Sequence, residues 1–158
     1  MIKYIFSIST GRSGSHFLSE LFSHVESCHS FHEPDPAMYG PSMRKYLAGR
    51  EEVVRKLMPA KMKAIKESKG DAALYVETNH VFIKSFGWEI PSHIKEEEIG
   101  VIILKRAPEK IVNSHMRIGA TPLHHKGHSW IITPLAKRNH APFPDRFPLQ
   151  KFRYYFYY

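Results

Sequence analysis

The sequence predicts an α/β chain folded as a three-layer α/β/α sandwich around a central parallel sheet. Three observations carry this expectation. Short apolar runs at 2–8, 72–77 and 99–104 alternate with amphipathic helical patterns. The first run enters a small, glycine-punctuated turn that opens directly into a helical pattern, the order of strand, anion-cradling loop and helix. Polar clusters follow the end of every predicted strand, at Gly11–Ser15, His32-Glu33, Thr78-Asn79-His80 and Lys105-Arg106. Parallel sheets place their ligands beyond those carboxyl ends, so the four clusters are expected to meet at one edge.

Taken in order, residues 2–8 read as a buried first strand. Residues 15–26 read as a helix with Phe17, Leu18, Leu21, Phe22 and Val25 on one side and Ser15 as a candidate cap. Ser30 to Pro36 reads as a short second strand that stops, Pro34 and Pro36 forbidding a helix and holding an extended exit. Residues 41–68 are helical, divided into pieces by Gly49 and Pro59. Val53, Val54, Leu57, Met58, Met62 and Ile65 form their core face, with the lysines outside. Ala72–Glu77 is a third strand, and a helix is expected between it and the next one. Glu96-Glu97-Glu98 reads as a solvated turn. The continuous run Ile99–Leu104 reads as a central strand buried on both faces. Pro108 suits the first turn of a helix carrying Ile111, Val112 and Met116.

Past residue 119 the pattern decays. Pro122, Pro134, Pro142, Pro144 and Pro148 interrupt it, and the end, Phe152–Tyr158, is aromatic. That end reads as the start of a helix in a chain that continues beyond Tyr158. The organisation expected is one domain over 1–158, with a core at 1–118 and an irregular Pro/His-rich segment at 119–158.

A formal charge of +8, with eleven histidines besides, suits a polyanionic small ligand, an acidic substrate or nucleic acid. One cysteine, Cys28, rules out an internal disulfide and fits a reducing compartment. No apolar run reaches membrane-spanning length, and with a strand-like start no signal peptide is expected, so a cytoplasmic location is expected. His124-His125 and His128 lack partner cysteines and an acidic helical neighbour, and read as a polar loop. No metal site is expected.

The turn Ser9-Thr10-Gly11-Arg12-Ser13-Gly14-Ser15 has the chemistry an anion needs. Gly11 and Gly14 open backbone conformations that let amides point inward. The following helix offers its first-turn N–H groups and positive dipole end. Ser13 and Ser15 add hydroxyls, His16 follows them, and Arg12 adds a permanent charge with a planar donor fork. The turn is not a Walker A motif, since only Arg12 and Ser13 separate its glycines and no Lys follows.

These residues resemble the sulfotransferase family, which moves a sulfuryl group from 3′-phosphoadenosine 5′-phosphosulfate (PAPS) to a hydroxyl or amine. Ser9–Ser15 is similar to the 5′-phosphosulfate loop of its carbohydrate and bacterial members, with Ser15 in place of the usual Thr. Leu104-Lys105-Arg106-Ala107-Pro108 through Ser114 resembles the 3′-phosphate segment, with Ala107 in place of the usual Asp. The family's late Arg-Lys-Gly segment has no counterpart in this chain. The resemblance covers residues 1 to about 118.

The resemblance implies the P-loop-NTPase-like sulfotransferase fold and a site assembled from the two segments. Gly11, Arg12, Ser13, Gly14, Ser15, His16, Arg106 and Ser114 are expected to bind PAPS or its product 3′-phosphoadenosine 5′-phosphate (PAP). Arg12 stands in for the family's loop lysine. Glu33 is expected as general base, with His32 and His80 as rivals. His32, Thr78 and Asn79 are expected to orient a carbohydrate or small-metabolite acceptor. No metal is required. Two alternatives stay open. One is a phosphate-loop nucleotide kinase or hydrolase, which lacks its lysine and strand-end Asp. The other is a non-catalytic basic module for nucleic acid or anionic glycan, which the charge favours and the ordered loop motifs do not, so no nucleic-acid partner is expected. A homodimer also stays open, with the aromatic end as its interface.

Overall fold

Four short strands and the helices between them appear in a computed structural model that describes residues 1–120. The strands are β1 (Tyr4–Ile8), β2 (Cys28–His32), β3 (Leu74–Thr78) and β4 (Ile99–Ile103). They pair in the order β2-β3-β1-β4, all parallel, with Phe6 level with Glu77 on one side and Val101 on the other. The helices are α1 (Ser15–Ser23), α2 (Gly40–Leu47), α3 (Glu52–Lys69) and α4 (Pro108–Arg117). The expected α/β sandwich with a parallel sheet is therefore what the described residues form. The His124-His125-His128 cluster and the aromatic end lie outside them.

The main core lies between the sheet and the α2–α3 layer. Phe6, Met43, Val54, Met58, Ile65 and Tyr75 are buried there together with Phe82, Phe86 and Ile90. Phe6 stacks on Phe82 at 4.5 Å between ring centroids. The opposite face of the sheet receives α1, where Ser19 Oγ meets Ser30 Oγ at 3.1 Å. The connections leaving β1 and β3 thus pass to opposite faces, and the crevice between their carboxyl ends is a switch point of the topology.

Five local expectations are corrected. First, β4 is not central. Among the described residues it pairs only with β1, and Val101 and Ile103 are 53% and 62% exposed. Second, α1 covers only part of its apolar stripe, with Leu18 and Phe22 half-buried. Ser15 and Ser19 face inward, while Phe17, Leu21 and Val25 are exposed. Small serines let the helix lie close to the sheet, and hydropathy reads them as an outer face. Third, the cap of α1 is Gly14, at φ 102, with no side-chain cap bond, and Ser15 is the first helical residue.

Fourth, Pro59 does not divide α3, which runs unbroken from Glu52 to Lys69. Pro59 and Arg55, whose carbonyl loses its partner, are both exposed, so water can take the missing bond. Fifth, no α-helix joins β3 to β4. Three 3-10 turns do, at Phe86–Trp88, Ile90–Ser92 and Glu96–Glu98. Gly87 explains the tightness, because a Cβ there would lie 3.0 Å from the Phe82 ring and from the Phe82 carbonyl oxygen. Pro91 adds a second interruption. Among the described residues no helix is long and apolar enough to cross a membrane.

Candidate functional site

The turn after β1 is built from left-handed residues. Gly11, Arg12 and Gly14 have φ of 76, 55 and 102. Such turns direct successive amides into a concavity suited to an anion. A Cβ on Gly14 would meet nothing within 4 Å, so open space lies beside the loop. Two hydroxyl groups of the loop, Ser9 Oγ and Ser13 Oγ, are buried and find no partner. Buried hydroxyls normally have partners, and an anion accepting from them would supply one.

The second segment meets the first in space. Arg12 Nε donates to Ser114 Oγ at 2.9 Å, and Arg106 donates to the Arg12 carbonyl at 2.7 Å. The end of β4 and the body of α4 are thereby fastened to the loop after β1. Arg106, Lys110 and Arg117 line a small cleft of about 170 Å³ with Asn113 and Ser114. It presents three cations and two neutral polar side chains, Arg106 just ahead of α4 and the other four on the helix itself.

The larger cleft, about 830 Å³, lies at the carboxyl ends of the strands. Gly11, Arg12, Gly14, Ser15 and His16 form one wall, and His32, Glu33, Tyr39 and His80 another. Arg106 and His115 also reach it. All four strand-end clusters therefore contribute to one neighbourhood, although Lys105 does not line the cleft. Thr78 and Asn79 do not line it either and are fully buried. Thr78 accepts from His32 Nδ1 at its carbonyl, 3.1 Å away, while its hydroxyl lies 3.0 Å from the same nitrogen. Asn79 takes part in the turn that presents His80, its side-chain oxygen accepting from the Val81 N–H.

Glu33 occupies a left-handed backbone conformation at φ 51. Its carboxylate accepts from His80 Nδ1 at 2.5 Å through one oxygen and from the Tyr39 hydroxyl at 2.9 Å through the other. His32 Nε2 stands 3.9 Å from the first oxygen, and the His16 ring packs edge-on to His32 at 5.2 Å. Burial alone would raise the Glu33 carboxyl, but the bond and charge of His80 and the Tyr39 bond together bring it below its ordinary value. Burial lowers His80, and the Glu33 bond opposes this without cancelling it. At neutral pH the pair is thus a carboxylate beside a neutral imidazole. Accepting the Nδ1 proton fixes the tautomer and leaves the Nε2 lone pair available.

Two basic groups near this pair escaped sequence reasoning. Lys84 is brought down to about 7 by burial, against the opposing charge of Glu33. His115, on α4, is brought down to about 4, chiefly by burial and then by the charges of His80, Arg12 and Lys84. Neither stands out in the sequence, because no local signal marks their approach to the turn. Among the described residues no group of three or more His, Cys, Asp or Glu side chains gathers as a metal site. No protein-family model, curated protein or solved structure matches the chain.

Proposed function

We propose that this chain is a sulfotransferase that takes PAPS as donor and transfers its sulfuryl group to a hydroxyl of a carbohydrate or small metabolite. The observation that carries the reading is the joining of two distant segments, Arg12 to Ser114 and Arg106 to the Arg12 carbonyl. The buried hydroxyls of Ser9 and Ser13 and the open space at Gly14 fit a bound anion at the loop. The cationic cleft of Arg106, Lys110 and Arg117 fits a second phosphate.

PAPS, when bound, supplies an activated sulfuryl group with a phosphate as its leaving group. The protein's part is charge stabilisation and positioning. The left-handed loop and the first turn of α1 direct N–H groups and a dipole toward the 5′ anion. Arg12 adds charge where negative charge builds. Arg106 and Ser114 hold the 3′-phosphate, Arg106 through its planar fork. His80 Nε2 removes the acceptor proton, and Glu33 holds the imidazole in the required tautomer while favouring the imidazolium that forms. This assigns Glu33 to orientation, because both its oxygens are engaged. His32, His16 and Tyr39 border the space left for the acceptor.

Calorimetric titration with PAP in the absence of metal tests the reading, with AMP and with ATP plus magnesium as comparisons. PAP is expected to bind well ahead of AMP. Arg106→Ala should weaken PAP by about tenfold or more, about 1.4 kcal/mol, and leave AMP little changed. Equal binding of PAP and AMP by the folded protein would remove the 3′-phosphate site and with it the reading. Preference for ATP with magnesium would favour a nucleotide kinase or hydrolase instead.

A further inference from the structure

We infer that a buried ion pair beneath the sheet, Lys61 with Glu77, is the positioning device for Glu33 and His80. The inference rests on the role given to that pair above. Lys61 Nζ donates to Glu77 Oε1 at 2.9 Å, and both side chains are essentially sealed from solvent, at 1% and 0% exposure. Neither was singled out by the sequence, which placed the lysines of α3 outside. Position 61 nonetheless falls on the buried stripe of Val54, Met58 and Ile65.

The Glu77 carboxylate is fully engaged. Tyr75 Oη donates to Oε2 at 2.9 Å, and Asn79 Nδ2 donates to Oε1 at 3.2 Å. Lys61 has a second acceptor, the Pro34 carbonyl, at 3.2 Å, and its ammonium lies 5.5 Å from the centre of the Phe86 ring. The two ends of this network stop one residue short of the site. Pro34 directly follows Glu33, and Asn79 directly precedes His80. Asn79 also accepts from the Val81 N–H, at 3.0 Å, so it fixes the chain on both sides of His80.

Glu33 needs such support. A non-glycine residue at φ 51 is held by its surroundings, not by its own preference. Its N–H donates to the Thr78 carbonyl at 3.0 Å, and Lys61 restrains the next carbonyl. Stability alone does not call for an ion pair here, since apolar side chains of similar volume often do as well or better. What the pair supplies is direction. One ammonium ties the β2–α2 turn to β3, and one carboxylate ties that ammonium to the residue before His80.

The test reads the His80 Nδ1 proton by NMR, which resonates far downfield while held on Glu33 and is assigned by its loss in His80→Asn. Glu33, Lys84, His32 and His115 are the charged and titratable groups around His80, and all are left in place. The variant is Lys61→Met combined with Glu77→Gln, which removes both charges together. It should remain folded by circular dichroism, keep PAP affinity within about threefold of the parent, and lose the downfield signal. Persistence of the signal in the folded variant overturns the inference. Should the double variant fail to fold, Asn79→Ser decides by the same signal, since it removes the Nδ2 donor to Glu77 while its hydroxyl oxygen can still accept from the Val81 N–H. Loss of the signal in a protein whose parent binds no PAP would retain the positioning of His80 and reject the sulfotransferase reading.

Discussion

At the scale of single residues, Gly11 links the loop after β1 to the Glu33–His80 pair. Its φ of 76 is one reason it must be glycine. The other is that a Cβ would stand 3.3 Å from His80 Cδ2. Gly14 shares the first reason and lacks the second, because nothing lies within 4 Å of its Cβ position. The two positions therefore separate backbone strain from crowding of His80. Alanine at either should cost about 1–2 kcal/mol in urea-denaturation stability, the price of a left-handed L-residue. Only Gly11→Ala should also displace the His80 imidazole signals in NMR spectra of the unliganded protein. Equal disturbance of His80 by both substitutions would break the proposed link.

At the scale of elements, legibility followed whether a residue's neighbours lie near it in sequence. The loop after β1 was readable because its glycines, serines and arginine act within one turn. The position of β4 was not readable, because a continuous apolar run looks the same in a central strand and at an edge where one neighbour supplies the cover. The face of α1 was misread because Ser15 and Ser19 pack by being small, and hydropathy ranks them as solvent-facing. The β3–β4 connection was misread as helical because the need for Gly87 comes from Phe82 folding back on it. That contact gives a direct check. Gly87→Ala forces a methyl against the Phe82 ring and carbonyl at 3.0 Å and should destabilise the fold by about 1–3 kcal/mol. The checks are the urea midpoint and slope, the slope staying constant if only packing has changed. A neutral result would mean that Phe82 is free to move aside, and its stacking on Phe6 would then matter less than the fold suggests.

At the scale of the whole molecule, the sequence placed the strand-end clusters together but could not say which side chains would be sealed beneath them. Glu33, His80, Lys84 and His115 come from three separate segments, and their mutual burial exists only in the folded chain. It makes stability depend on pH with one sign at the acid end. His115 is lowered from 6.5 to about 4, so between those values the unfolded chain binds a proton that the folded one refuses. His80 is lowered too and acts in the same direction. Glu33, lowered from 4.5, contributes stability that is present above its unfolded value and lost as pH falls through its folded one. Lys84, lowered from 10.5 to about 7, extends the same loss across the neutral range. Tyr39 and Tyr75 are raised chiefly by burial, so their contribution disappears as pH climbs past 10. Linkage then requires the urea midpoint to fall steadily from pH 10 toward pH 4 and to fall again above pH 10. Lys84→Met should flatten the arm between 7 and 10.5, and His115→Gln the arm between 6.5 and 4. A parent protein whose midpoint is level from pH 10 down to pH 4 would mean that these groups are solvated in the folded state. The cleft would then lack the dry environment that keeps His80 neutral beside an ionised Glu33, and the proposed role of His80 as proton acceptor at neutral pH would lose its basis.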